Sequence, residues 1–442
     1  MRANRKCITP AIALAALTPA AALAEGGSLA QLRPTFTETG HEPPPTAQPA
    51  PRAGTMAYVD VGVLLLALCA ASFIALRLRS RRWMVALAIF SGLYFGFYRL
   101  GCICPVGSVQ NMAEALAGRG YTVPLSVVLV FALPLVFTLF FGRTFCAAVC
   151  PLGVLQELVV IRPRRLPLHI RRPLELLPWL YLAVAVVMAA AGGGYLICRY
   201  DPFIGIYRLG GPLPILLSGA LLLAVGTVIG RPYCRFLCPY GALLGLCSRV
   251  SRRHVTITPA NCVQCRLCEN ACPYDAILIP TPAKAPVPRA RGIRRLVVLL
   301  ALAPLLIGGG GWIGTRLAVP LSRFADAVNL AEQVHFAEQH PDAPPSVEVD
   351  GFRRTREDPA RLYERALAIR QRLQQGGGWI GAFTGLVLAS SLFGLAIRRT
   401  RSGYVPDRAQ CVSCTRCFSS CPVKPPPPAV SLTCAGQEVA DA

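Results

Sequence analysis

The chain has 442 residues, 54% of them hydrophobic, with a mean hydropathy of +0.49 and a formal charge of +23 carried almost wholly by arginine. So apolar a composition excludes an ordinary soluble domain and implies several membrane-spanning helices. The charge does not read as a nucleic-acid surface, because no recognition motif accompanies it and the arginines gather at the ends of apolar runs: RLRSRRW (77–83), RPRRLPLHIRRP (162–173), RARGIRR (289–295) and RRTR (398–401). Positive-inside loops place arginine there.

In chain order, a basic MRANRK, an apolar AIALAALTPAAALA and a small-residue site at Ala22 and Ala24 predict a signal peptide over 1–24. Residues 25–57, rich in Pro, Thr and Ala, read as an exported flexible segment. Apolar stretches long enough to cross the membrane follow near 58–76, 84–98, 123–141, 177–197, 213–230, 295–313 and 379–397. Seven crossings from an outside N-terminus put every arginine-rich loop on the cytoplasmic face. The expected fold is thus mainly α: a five-span domain over 58–250, a sixth span at 295–313, an exported helical hairpin over 314–378 and a seventh span at 379–397. In the exported part, LSRFADAVNLAEQVHFAEQ and DPARLYERALAIRQRLQQGG show helical periodicity, and the second ends in glycines suited to a C-cap.

The cysteines carry the chemistry. CVQCRLCENACP (262–273) and CVSCTRCFSSCP (411–422) share the spacing Cys-x2-Cys-x2-Cys-x3-Cys-Pro, the ferredoxin run that wraps a cubane 4Fe-4S cluster. Zinc prefers two separated Cys-x2-Cys pairs. In two-cluster ferredoxins the fourth cysteine of each run ligates the other cluster, which assigns Cys262, Cys265, Cys268 and Cys421 to one cluster and Cys411, Cys414, Cys417 and Cys272 to the other. Two 4Fe-4S clusters are therefore expected in a small α+β ferredoxin-like module. Its halves, at 251–290 and 398–442, are separated in sequence by the hairpin of spans six and seven.

An internal repeat adds a second group. GRTFCAAVCPLGVLQEL (142–158) aligns without gaps with GRPYCRFLCPYGALLGL (230–246), and FGFYRLG (95–101) matches IGIYRLG (204–210). Sites commonly form between such repeats. Cys146, Cys150, Cys234 and Cys238 can converge where a span meets the cytoplasm, each pair sharing a helix face at i and i+4. Thiolate count alone leaves a further iron–sulfur cluster and a mononuclear metal both open. Cys102, Cys104 and Cys198, in YRLGCICPVGSVQN and LICRYDPF, fall on the opposite side, where soft Cu(I), a redox-active disulfide or an outer electron exit would suit them. No haem is expected, since Cys-x2-Cys-His is missing and no histidine falls in a predicted span. Without a Walker or dinucleotide fingerprint, reductant must come from a cytoplasmic donor protein or from quinol.

The paired GRTFCAAVCPLG and GRPYCRFLCPYG with two ferredoxin runs resemble the NosR/NapH-type membrane polyferredoxins over roughly 84–282 and 400–425. Cys146, Cys150, Cys234, Cys238 and the eight run cysteines match that family's positions. The resemblance implies an inner-membrane protein that moves electrons from the cytoplasm or quinone pool toward a periplasmic redox partner; the alternative it implies is a factor for maturation or regulation of an exported metalloenzyme. Only the short segment 25–57 stands where NosR has its exported flavin domain, so FMN is not expected on this chain and a partner flavoprotein would supply it.

Overall fold

The computed structural model describes residues 54–423, apart from 102, 119, 162, 258–261, 282–287, 342–345, 356, 397–400 and 402. The expected signal peptide, nearly all of the segment at 25–57, Cys102 and the tail beyond 423 lie outside the described residues.

An apolar chain in lipid must satisfy its backbone hydrogen bonds internally, which makes helix the default. α1 (Gly54–Phe73) runs on as a π-helical segment, Ile74–Leu78, and α2 (Arg81–Ser91) continues through Gly92–Tyr98 in the same way. Next come α3 (Pro105–Leu116), α4 (Leu125–Phe141), α5 (Thr144–Ala148), α6 (Pro151–Leu158), α7 (Leu168–Leu174) and α8 (Leu177–Ala191). The second repeat is built from α9 (Leu196–Arg199), α10 (Ile204–Tyr207), α11 (Leu213–Gly226), α12 (Pro232–Phe236) and α13 (Pro239–Arg249). The rest comprises α14 (Leu267–Ala271), β1 (Ile277–Leu278), α15 (Arg289–Ser322), α16 (Asp326–Gln339), α17 (Val347–Thr355), α18 (Pro359–Ala396), β2 (Val405–Pro406) and α19 (Arg416–Ser419).

Among the described residues, four helical stretches are long and apolar enough to cross a membrane: Gly54–Leu78, Leu168–Ala191, Arg289–Ser322 and Pro359–Ala396. α4 and α11 are apolar but shorter. At 1.5 Å per residue, α15 and α18 extend ~51 and ~57 Å, well beyond a hydrocarbon core of about 30 Å.

The glycines at 376–378 do not cap a helix, contrary to the expectation. α18 passes straight through them; Gly377 and Gly378 face α15, while Gly376 faces Val187 of α8. A Cβ on Gly314 would strike the Gly377 carbonyl, one on Gly381 the Gly310 carbonyl and one on Gly385 the Leu306 carbonyl. The stripe exists so that two backbones can touch, the small-residue contact that holds helices together in lipid. Beyond it a separate core joins Met188 of α8 to Val328 and Val334 of α16, Phe352 of α17, and Leu362, Ile369 and Leu373 of α18. The pair of amphipathic helices read from the sequence is therefore α16 plus the first half of α18, with α17 unforeseen between them.

The α15/α18 hairpin returns the chain to its starting point. β1 and β2 pair antiparallel, Ile277 opposite Pro406 and Leu278 opposite Val405, and form the only sheet among the described residues. α14 packs on α19. The two cysteine runs, about 150 residues apart in sequence, thus share one small body against the membrane helices.

Candidate functional site

The two runs fold alike. Gln264 (φ 52°) and Arg266 (φ 62°) take left-handed conformations, as do Ser413 (φ 55°) and Thr415 (φ 63°) at the matching positions. Non-glycine residues adopt this region at a cost and keep it where the surroundings demand it. Backbone that alternates right- and left-handed turns successive N–H groups inward, a nest suited to an anionic iron–sulfur group. One cavity is lined by Cys262, Cys265, Cys268 and Cys421. A second is lined by Cys411, Cys414, Cys417 and Cys272. Each takes three cysteines from one run and the last from the other.

Among the described residues no group of three or more His, Cys, Asp or Glu is drawn together tightly enough for a single metal ion. Around one tetrahedral ion with metal–sulfur bonds near 2.3 Å the sulfurs would sit roughly 4 Å apart. Four cysteines spread around a cavity fit a cluster of several atoms instead. Burial pushes the Cys411 thiol up to about 12 and the Cys414 thiol up to about 11, and it raises Cys272 as well. Thiols held protonated in this way would give up their protons on binding a metal group.

The repeated cysteines are arranged differently from the expectation that each pair shares one helix face. Cys146 lies in α5 and Cys234 in α12, but Cys150 (φ −70°, ψ 117°) and Cys238 (φ −65°, ψ 111°) are extended N-caps of new helices, α6 and α13. Proline is the cause: Pro151 and Pro239 disfavour helical backbone in the residue before them and suit the first helical position. The second cysteine of each pair thereby sits at a helix N-terminus, where Gly241 N donates to Cys238 Sγ at 3.3 Å. Cys146, Cys150 and Cys238 are buried, with Cys234 packed against the same core.

This site is not at the end of a span. Tyr240 Oη donates to the Phe131 carbonyl at 2.7 Å, and Arg252 N and Arg253 N donate to Leu139 O and Phe140 O at 3.0 and 2.9 Å. α13 therefore lies along α4, and its head, with Cys238, is level with the middle of that helix. Nor does Cys104 stand apart on an opposite side. It packs against the same core and lies within electrostatic reach of Cys150 and Cys238, while Cys198 is exposed. Cys272, Cys411 and Cys414 also pack against that core.

Sequence reasoning missed the polar residues between the thiols and the runs. Arg231 Nε pairs with Glu157 Oε2 at 3.0 Å, and Glu157 Oε1 receives Arg416 Nε at 2.9 Å and Arg81 Nη2 at 2.5 Å; Tyr274 Oη also donates to Glu157. Burial pushes the Glu157 carboxyl up, but the charges of Arg231, Arg416 and Arg81 and the Tyr274 hydrogen bond prevail and hold it down at about 2. Arg231 donates to the carbonyls of Cys146 and Ala147, and Arg81 Nη1 to Cys414 O at 3.1 Å. On the other repeat, Arg143 Nη1 donates to Ala409 O at 2.7 Å and Nη2 to Cys146 Sγ at 3.8 Å. A signal was available: Gly-Arg opens both repeats. A Cβ on Gly230 would press on Pro273, and Gly142 lies beside Ser413, so each Gly-Arg faces a ferredoxin run. Gln156 is a further such residue; its Oε1 accepts from Tyr233 N at 3.0 Å and its Nε2 donates to Cys234 Sγ at 3.1 Å.

Comparison with known proteins agrees with this geometry. A 4Fe-4S binding domain family matches residues 123–169 and 211–258, the two halves of the repeat, and another 4Fe-4S binding domain family matches 255–278, the first run. YccM of Escherichia coli, whose name proposes an electron transport role, is 27% identical over 38% of this chain and 52% of its own length. The regulatory protein NosR of Pseudomonas aeruginosa is 28% identical over 49% of this chain and 34% of its own. The ferredoxin-type protein NapH of Haemophilus influenzae is 25% identical over 43% of this chain and 68% of its own. The match thus spans about half of YccM, a third of NosR and two thirds of NapH. No solved structure matches the chain. With 4Fe-4S domains on the repeat and on the first run, apolar helices around them and these relatives, the chain belongs to the NosR/NapH-type polyferredoxin family.

Proposed function

We propose that the protein is an iron–sulfur electron conduit of the bacterial inner membrane, carrying electrons from a cytoplasmic donor or quinol toward an exported redox partner. The observation that carries this reading is the single hydrophobic core shared by Cys272, Cys411 and Cys414 of the runs and Cys146, Cys150, Cys234 and Cys238 of the repeat. In it, Cys262, Cys265, Cys268 and Cys421 hold one 4Fe-4S cluster, Cys272, Cys411, Cys414 and Cys417 hold the second, and the four repeated thiols hold the next redox group. Bound iron–sulfur clusters supply the one-electron chemistry; the protein supplies spacing, burial and charge around the sulfurs. Arg231, Arg416 and Arg81 against the lone carboxylate of Glu157 leave excess positive charge between the second run and the repeated thiols, which favours electron density there.

Seven spans and a cytoplasmic position for the runs follow from the same reading. Its support is the ring of arginines, Arg81, Arg143, Arg165, Arg171, Arg231 and Arg235, on the face where the runs dock. A hydrocarbon core of about 30 Å separates that face from any exported acceptor, so a flavoprotein partner or a thiol site further out completes the path.

The test is low-temperature electron paramagnetic resonance with iron quantitation, on anaerobically purified protein during a redox titration. Two interacting, reversibly reducible cubane signals, plus further iron that is lost in Cys146→Ser, are expected. Irreducible clusters, or zinc in place of iron, would overturn the conduit. The regulatory name of NosR favours a second reading, a maturation or regulatory factor, which predicts the same clusters but no electron flow across sealed vesicles.

A further inference from the structure

We infer that Cys104 and Cys198, with the Asp201 carboxylate, form a second iron–sulfur site inside the membrane domain, built on the plan of the four-thiol site. Its role as a relay rests on the conduit reading; its ligands do not.

The plan is visible in a third Cys-Pro-x-Gly unit. CPVGSVQ begins at Cys104, as CPLGVLQ begins at Cys150 and CPYGALL at Cys238. Cys104 is, like the other two, an extended N-cap (φ −121°, ψ 110°) followed by proline at the head of a helix. α3 packs along α8 and α4 and touches α13.

The partner segment matches too. Ile197, Cys198, Arg199 and Tyr200 correspond to Tyr233, Cys234, Arg235 and Phe236. Gln110, six residues after Cys104, accepts from Ile197 N at 2.9 Å, as Gln156, six after Cys150, accepts from Tyr233 N at 3.0 Å. The Gln156 amide nitrogen then donates to Cys234 Sγ. The corresponding nitrogen of Gln110, a residue with no exposed surface, has no hydrogen-bond partner among the described residues. A buried amide left so is costly, and by the parallel it points to where a sulfur-bound group would accept.

The sulfurs are at hand. A Cβ on Gly107 would come within 2.9 Å of Cys198 Sγ, so this thiol lies against the first turn of α3. Cys104 is within electrostatic reach of both Asp201 and Cys198. Asp201 is buried and precedes Pro202, as Cys238 precedes Pro239. Its Oδ1 accepts from Phe203 N at 2.9 Å, and a carboxylate has a second oxygen to offer a metal. Soft thiolates select iron–sulfur clusters among metal groups, and the site shares its plan with the four-thiol site. None of these residues falls within the stretches that match the 4Fe-4S domain families.

The experiment is alkylation footprinting of the wild-type protein with iodoacetamide, read by mass spectrometry, before and after iron chelation. Iron quantitation on Cys198→Ser and Asp201→Cys accompanies it. Cys198 is exposed, so iodoacetamide can reach it. The expected result is protection of Cys104 and Cys198 that chelation removes, loss of one cluster's iron in Cys198→Ser with both run signals retained, and in Asp201→Cys a shifted midpoint potential for one signal alone. Equal alkylation of Cys198 with and without iron, or unchanged iron in Cys198→Ser, overturns the site. If the run clusters prove irreducible the conduit fails, yet the footprint still decides this site. Being read on wild-type protein, it does so even where a variant does not fold.

Discussion

The first and second ferredoxin runs use the same spacing, the same left-handed positions and the same short helix, yet they lie in opposite surroundings. Val263 and Val412 are equivalent residues, and the first is 66% exposed while the second is 7% exposed. Cys265 is exposed, whereas Cys414 packs against the membrane core beneath Arg81. Local sequence therefore specifies the cage, and docking decides its access. On the proposed reading the exposed run meets the donor and the buried run passes electrons inward.

The sharpest way to break this comparison is to remove the crossed ligands. Cys272→Ser is expected to abolish or convert the signal of the cluster in the Cys411, Cys414 and Cys417 cavity while the first-run cluster stays reducible. Cys421→Ser should do the reverse, both measured by electron paramagnetic resonance. Loss of the signal belonging to each mutated run itself would mean that the ligands are not exchanged.

Next in size is Glu157→Gln. Three arginines would lose their shared carboxylate in a buried site, at a cost of about 3–5 kcal/mol, and the second-run signal should fade before the first during thermal unfolding. If the two fade together, the runs are not held independently. The same carboxylate sets a pH dependence. Its pKa is depressed to about 2 from a usual value near 4.5, so its stabilisation is complete above the unfolded value and lost as pH falls through the folded one. The gap in unfolding temperature between wild type and Glu157→Gln should therefore hold from pH 7 down to about 4.5 and close toward pH 2.

Gly381→Val tests the element that returns the second run to the first. Its side chain would meet the Gly310 backbone and overpack the hairpin by about 1–3 kcal/mol. Faster protease cleavage near 401–410 and earlier loss of the second-run cluster are expected. The smallest effect belongs to Arg165→Ala, which removes a bridge to Glu269 from a side chain that is 47% exposed. A change of no more than about 1 kcal/mol, diminished by salt and confined to the first run, would fit a surface pair.

Much of the chemistry was legible because cysteine spacing is a local property. Three thiols within a run of seven residues mark most of one cage by spacing alone, and seven apolar stretches announce helices through composition. The Cys-x3-Cys-Pro pairs were half legible. Their repetition marked a site, but helical periodicity was the wrong rule for them, because Pro151 and Pro239 break the helix before the second cysteine. The glycines at 376–378 misled for the opposite reason. Read locally they suit a helix end, and only α15 and α8 packed opposite give them a role.

By itself, then, the sequence determined the helical character of the chain and the family to which it belongs, and it marked the candidate donor thiols, since each depends on residues close together in the chain. Tertiary structure alone decided that Arg231, Arg416 and Arg81 meet on Glu157, and that Cys104 joins the core of the repeated thiols. These are contacts between segments tens to hundreds of residues apart. Their existence depends on how the α15/α18 hairpin and the two repeats pack, and no local pattern encodes that packing.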